Sequence, residues 1–138
     1  MSERRTLRLL ILDDEPSFGI IVGRIAERSG WTARSATDVA SFQAQFDAER
    51  PDGIVLDLHL GATDGRAQLG FLGEAGFDGG IILMSGSADN ALEAARELGR
   101  SLGLAVVGLI AKPMENEAIR DQLAGLADYC AGRAVKSA

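Results

Sequence analysis

The chain has 138 residues, which suits one domain large enough to bury a real core, and 46% hydrophobic with 25% charged content is ordinary for a globular protein. A net charge of −6 argues against a nucleic-acid surface, which needs a basic stripe, and the single cysteine, Cys130, excludes an internal disulfide framework and fits a reducing compartment. The apolar run at 7–12 is interrupted by Arg8 and ended by acids. It is too short for an export signal or a bilayer span, so a cytoplasmic location without membrane contact is expected.

In chain order, "LRLLIL" (7–12) reads as a strand buried on both faces, because short apolar runs suit that setting. Phe18, Ile21, Val22 and Ile25 then recur at helical spacing, and Gly30 stands where that helix should stop. A second strand is expected at 31–35 and a second helix through Val39, Phe42 and Phe46. The third strand, 53–57, ends in Asp57. A weak third helix follows on Leu69 and Leu72, its propensity lowered by Gly65, Gly70, Gly73 and Gly76. A fourth strand at 80–84 leads through Ser85-Gly86-Ser87 to a helix on Leu92, Ala95, Leu98 and Leu102. The fifth strand, 104–109, precedes Lys112-Pro113 and a helix on Ile119, Leu123, Leu126 and Cys130. Residues 131–138 are small and polar and read as a flexible tail, which leaves 1–130 as the single domain. Strict alternation of strand and helix predicts an α/β fold, a parallel sheet with helices on both faces.

In such sheets ligands bind beyond the carboxyl ends of the strands, where strand order reverses. The polar residues gather there. The first strand ends in Asp13-Asp14-Glu15, the third in Asp57, the fourth in Ser85 and the fifth in Lys112. Of the 14 basic residues only Lys112 and Lys136 are lysine, and Lys136 lies in the tail. Two unit charges about 4 Å apart interact by roughly 4 kcal/mol at an effective dielectric near 20, so converging carboxylates need a cation. Hard oxygen ligands suit Mg²⁺. An aspartate beside Mg²⁺, with a lysine and a hydroxyl nearby, is equipped to accept a phosphoryl group as a carboxylate nucleophile.

The stretches "LILDDEP", "IVLDLHLGATDG", "IILMSGS" and "LIAKP", in that order, cover the chain up to the tail. Together they resemble the response-regulator receiver domain of two-component signalling. The resemblance implies a doubly wound, flavodoxin-like five-stranded sheet of order 2-1-3-4-5. It implies that Asp57 is the phosphoacceptor. It implies that Asp13, Asp14, Asp57 and the backbone carbonyl of His59 hold Mg²⁺, with Asp14 preferred as a direct ligand and Asp13 acting through water. Ser85 matches the hydroxyl that follows the phosphoryl group, Gly86 the small gap for its entry, and Lys112 the lysine that pairs with the phosphoryl oxygens, its bond to Pro113 cis in the family. Such a domain is a signalling switch rather than an enzyme, limited to its own phosphotransfer and dephosphorylation. Its partners would be a sensor histidine kinase or a histidine phosphotransfer protein, and a downstream protein effector bound through the face of the fourth helix, fifth strand and fifth helix. A monomer or weak homodimer is expected. Two positions depart from the family pattern: Leu109 stands where an aromatic switch residue is common, and Gly61 where proline is.

Each residue also has a plainer reading. Acids before Pro16 can cap the first helix, Asp57 can cap a loop, Ser85 and Ser87 can cap the fourth helix, Lys112 can be solvated, and His59 can be an exposed loop side chain. Coincidence of all of these at one sheet edge is the harder explanation. Among other functions, Leu109 alone favours a phosphorylation-independent interaction module. A haloacid-dehalogenase-type phosphatase would place its two aspartates one residue apart, whereas Asp13 and Asp14 are adjacent. A flavodoxin would need a Ser/Thr/Gly phosphate loop after the first strand.

Overall fold

The computed structural model describes residues 6–60, 63–86 and 91–137. Its elements run β1 (Arg8–Leu12), α1 (Pro16–Arg28), β2 (Thr32–Ala36), α2 (Val39–Ala48), β3 (Gly53–Asp57), β4 (His59–Leu60), β5 (Thr63–Asp64), α3 (Ala67–Glu74), β6 (Gly80–Ser85), α4 (Ala91–Ser101), β7 (Ala105–Ala111) and α5 (Asn116–Ser137). Five strands form one parallel sheet in the order β2-β1-β3-β6-β7, while β4 and β5 make a separate two-stranded antiparallel ribbon. With the ribbon set aside, this is the expected order 2-1-3-4-5. Gly61, Ser87 and Ala88 lie outside the described residues.

The two-residue period of the central strands sorts their side chains into two layers. Leu10, Leu12, Ile54, Leu56, Ile81 and Leu83 join Phe42, Phe46, Leu69, Leu72 and Ala95 from α2, α3 and α4. Leu9, Ile11, Val55, Ile82 and Met84 join Val22, Ala26, Ile119, Leu123, Leu126 and Cys130 from α1 and α5. Leu9 to Leu12 are fully buried, each contributing about 1.5–3 kcal/mol of side-chain burial. The outer strand β2 is more exposed, so it carries the sequence "TARSA" rather than an apolar run.

Local signals place the ends. Gly30, Gly76 and Gly103 take the positive φ values that close α1, α3 and α4, at 100°, 68° and 79°. Two helices are turned relative to the face expected from their stripes. In α4, Ala95 and Gly99 are buried while Leu98 and Leu102 are each 39% exposed. The reason is Gly99, where an added Cβ would lie 2.9 Å from Val106 Cγ2, so the helix approaches β7 on its glycine. In α1, Gly19, Val22 and Ala26 face inward and Ile21 is 41% exposed.

The fifth helix runs to Ser137 and so includes residues 131–137, which the sequence reads as a flexible tail. Ala131, Arg133, Ala134 and Lys136 all sustain helical propensity past Cys130. At the opposite edge of the sheet from β2, the register of β6 with β7 jumps between Ile81↔Val106 and Ile82↔Gly108, leaving Val107 as the extra residue of a bulge. Among the described residues, no helix is long and apolar enough to cross a membrane.

Candidate functional site

Residues from the carboxyl ends of β1, β3, β6 and β7 meet at one edge of the sheet. Lys112 Nζ donates to Asp13 Oδ2 at 3.0 Å and to Asp57 Oδ2 at 3.2 Å. Both carboxylates are 2% exposed, and the Lys112 side chain is 14% exposed. The Lys112 ammonium also lies 4.8 Å from the centroid of the Phe18 ring, a cation–π distance. The lysine is set in place by its own backbone: Lys112 N–H donates to the Ser85 carbonyl at 2.8 Å, and the Lys112-Pro113 bond is cis.

The other oxygen of each aspartate has a backbone partner. Glu15 N–H donates to Asp13 Oδ1 at 2.8 Å, and His59 N–H donates to Asp57 Oδ1 at 3.0 Å. Capping thus accounts for half of Asp13 and none of Glu15, whose side chain makes no cap on α1. Asp14 is exposed beside the buried pair. One carboxylate oxygen from each of Asp13, Asp14 and Asp57 falls within 4.8 Å of the others. Three carboxylates facing one ammonium leave about two negative charges in excess. This hard-oxygen set fits a divalent cation such as Mg²⁺, which takes few carboxylates and retains water.

Burial pushes the Asp57 carboxyl up to about 6, the His59 N–H and the Lys112 charge hold it back, and Asp13 adds to the rise. For Lys112, burial works against the charged form. The hydrogen bond to Asp13 and the charges of Asp57 and Asp13 outweigh it, and the net pKa is raised. The ionisation of Asp57 and of Lys112 is therefore linked.

The loop after β3 is shaped by a glycine. Gly65 N–H donates to the Leu58 carbonyl at 2.9 Å, and a Cβ on Gly65 would collide with the Asp57 carbonyl oxygen. Only glycine lets the returning chain pass so close behind the acceptor. Gly86 is exposed, and a Cβ there would meet only Lys112 Cβ, at 4.0 Å.

Of the residues picked from sequence, Asp13, Asp14, Asp57 and Lys112 converge directly. Ser85 is fully buried at the end of β6 and joins the group through His59, whose Nε2 lies 3.1 Å from Ser85 Oγ. That side-chain contact is not anticipated in the sequence reading, which gives His59 a backbone role only. The signal was present, since residues i and i+2 of an extended segment face the same side and His59 is two residues past Asp57. The Phe18 contact was likewise hidden, because Phe18 reads simply as part of an apolar stripe. Leu109 is half-buried on β7, and its N–H donates to Gln122 Oε1 of α5 at 3.1 Å.

A doubly wound parallel sheet with an acid pocket and a lysine at its switch point defines a class of α/β switch domains. Residues 9–124 match the model of the response regulator receiver domain, and the chain belongs to that family. Receiver domains are signalling switches of two-component systems. The chain is similar to the nitrogen assimilation regulatory protein NtrX of Azorhizobium caulinodans, at 34% identity over 80 residues, 56% of this chain and 18% of that protein. It therefore spans under a fifth of the length of that relative. Among solved structures it resembles a response regulator protein from Burkholderia pseudomallei with a phosphorylated aspartic acid, calcium ion and citrate. The TM-score there is 0.72 at 26% identity, covering 96% of this chain and 73% of that one. The chemotaxis protein CheY4 of Vibrio cholerae shares the fold, with a TM-score of 0.75 at 18% identity, covering 88% of this chain and 99% of that one.

Proposed function

We propose that this protein is a phosphoryl-accepting receiver in which Asp57 takes a phosphoryl group from a histidine kinase or a histidine phosphotransfer protein. The observation that carries this reading is Lys112 bridging the buried carboxylates of Asp13 and Asp57, with Asp14 beside them. An Asp57 oxygen attacks phosphorus, the phosphorus–nitrogen bond of the donor's phosphohistidine breaks, and an acyl phosphate forms. Lys112 offers its ammonium to the phosphoryl oxygens, and Ser85 offers its hydroxyl. Asp13, Asp14, Asp57 and the His59 carbonyl would hold Mg²⁺, which supplies charge neutralisation at the phosphoryl oxygens. Reversal of the signal is hydrolysis, in which water attacks phosphorus and Asp57 leaves as the carboxylate. The calcium ion and phosphorylated aspartate of the Burkholderia relative support both halves of the assignment by analogy.

In this reading the receiver unit ends near residue 130 and acts in the cytoplasm as a monomer or weak homodimer. It signals to a protein through the α4–β7–α5 face, with no nucleic acid or membrane as its direct target. Leu109 favours a phosphorylation-independent interaction module as the second reading, because no ring is available there to change rotamer. One experiment separates the two: mass spectrometry after acetyl phosphate treatment in Mg²⁺. A single phosphoryl adduct on Asp57, lost in Asp57→Asn and in EDTA, is the expected result. Equal labelling of Asp57→Asn would sink the assignment.

A further inference from the structure

We infer that the imidazole of His59 is a latch on the Ser85 hydroxyl, which biases the domain toward its unphosphorylated form. This inference rests on the receiver reading. Among the described residues, His59 joins the Asp57 carboxylate to the side-chain hydroxyl of Ser85. Its N–H donates to Asp57 Oδ1 at 3.0 Å, and its Nε2 lies 3.1 Å from Ser85 Oγ. The backbone of His59 is pinned by the β4–β5 ribbon, where His59 pairs with Asp64 and Leu60 with Thr63. Behind it, Gly65 holds the returning loop against the Asp57 carbonyl. These backbone contacts leave the side-chain torsions as the ring's most direct route away from Ser85.

The exposure of the two partners sets their roles. Ser85 is fully buried, and a hydroxyl taken from water needs a partner inside the fold. His59 is exposed, and its ring can exchange Ser85 for solvent at small cost. A phosphoryl on Asp57 brings acceptor oxygens next to Ser85, whose hydroxyl has only one proton to give. The latch requires the tautomer in which Ser85 donates to Nε2; when that proton is directed to phosphorus-bound oxygen, this bond is lost and the ring is released to solvent. The free protein carries the His59–Ser85 bond and the phosphorylated protein does not, so its strength enters the switching equilibrium directly. His59 is on this account a positioning residue: it sets where the hydroxyl points before phosphorylation.

A double-mutant cycle with beryllofluoride and Mg²⁺ tests this, with binding followed by amide shifts of the full chain. A net hydrogen bond is worth a factor of roughly two to ten in an equilibrium, so His59→Ala should bind beryllofluoride that much more tightly than wild type. In the Ser85→Ala background the same substitution should change nothing, because the latch has no hydroxyl to hold. Equal effects of His59→Ala in both backgrounds, or weaker binding in the Ser85-containing protein, would overturn the latch. A second arm needs no phosphoryl mimic. The His59 ring nitrogen shifts in the free protein should move in Ser85→Ala, and unchanged shifts would overturn the bond itself. Failure of every variant to bind beryllofluoride, with the ring shifts responding to Ser85→Ala, would overturn the receiver reading and the switching role together while leaving the bond standing.

Discussion

Lys112 Nζ sits 3.2 Å from Asp57 Oδ2, across 55 residues of sequence, with the aspartate buried and the lysine side chain largely covered. Neither charge is stable there alone. An opposite charge at this distance lowers a carboxyl pKa by roughly 1–3 units. Lys112→Met should accordingly raise the Asp57 pKa above its already elevated value of about 6 by that amount. Carbon-13 titration of the Asp57 carboxyl measures it. An unmoved pKa would mean that the lysine does not govern the acceptor's ionisation.

The raised pKa of Asp57 links stability to pH. An unfolded aspartate titrates near 4, whereas Asp57 in the folded chain titrates at about 6. Between those values the folded protein holds a proton that the unfolded chain has released, so stability falls as pH rises through the window and the loss is complete above it. The size is on the order of 1–3 kcal/mol. Urea unfolding in EDTA at pH 4 and pH 7.5 should show wild type losing stability relative to Asp57→Asn, which does not titrate. A difference between the two proteins that stays constant with pH would refute this.

Mg²⁺ should raise the melting temperature, since it relieves repulsion among Asp13, Asp14 and Asp57. A ligand at 100 times its Kd stabilises by about 2.7 kcal/mol. Asp14→Ala should weaken Mg²⁺ more than Asp13→Ala does. Both Asp13 oxygens already have partners in Lys112 and Glu15 N–H, whereas Asp14 is exposed beside them. Mg²⁺ titrations followed by amide shifts decide it, and equal losses would show the two acids to be equivalent.

Two glycines, one in the β5–α3 junction and one inside α3, should respond in opposite senses. Gly65→Ala drives a Cβ into the Asp57 carbonyl and to 2.8 Å from Leu58 Cα, an overpacking cost of about 1–3 kcal/mol. At Gly70, inside α3, an added Cβ meets nothing within 4 Å, so Gly70→Ala should stabilise by roughly 0.5–1 kcal/mol. Urea denaturation of both variants checks the pair, and a neutral Gly65→Ala would contradict the close approach.

Much of the fold is legible in particular residues. The apolar runs at 9–12, 54–56 and 81–84 are buried on both faces, and the α5 stripe of Ile119, Leu123, Leu126 and Cys130 is buried throughout. The stripes of α1 and α4 were less reliable guides. Helical spacing states which residues share a face but not how closely that face approaches the sheet, and small residues at Gly19 and Gly99 drew it inward.

By itself the sequence determined the chemistry gathered at the sheet edge. Strand-end positions follow from the order of elements, and a parallel sheet brings those ends together, so Asp13, Asp57, Ser85 and Lys112 had to be neighbours. Only the tertiary structure decided how the neighbours divide their contacts. Lys112 spans two carboxylates, Phe18 lies beside its charge, and His59 reaches Ser85 through space between segments 26 residues apart. Those choices depend on side-chain torsions and on where water is excluded. Neither is written in a local pattern, because both are set by the packing of elements distant in the chain.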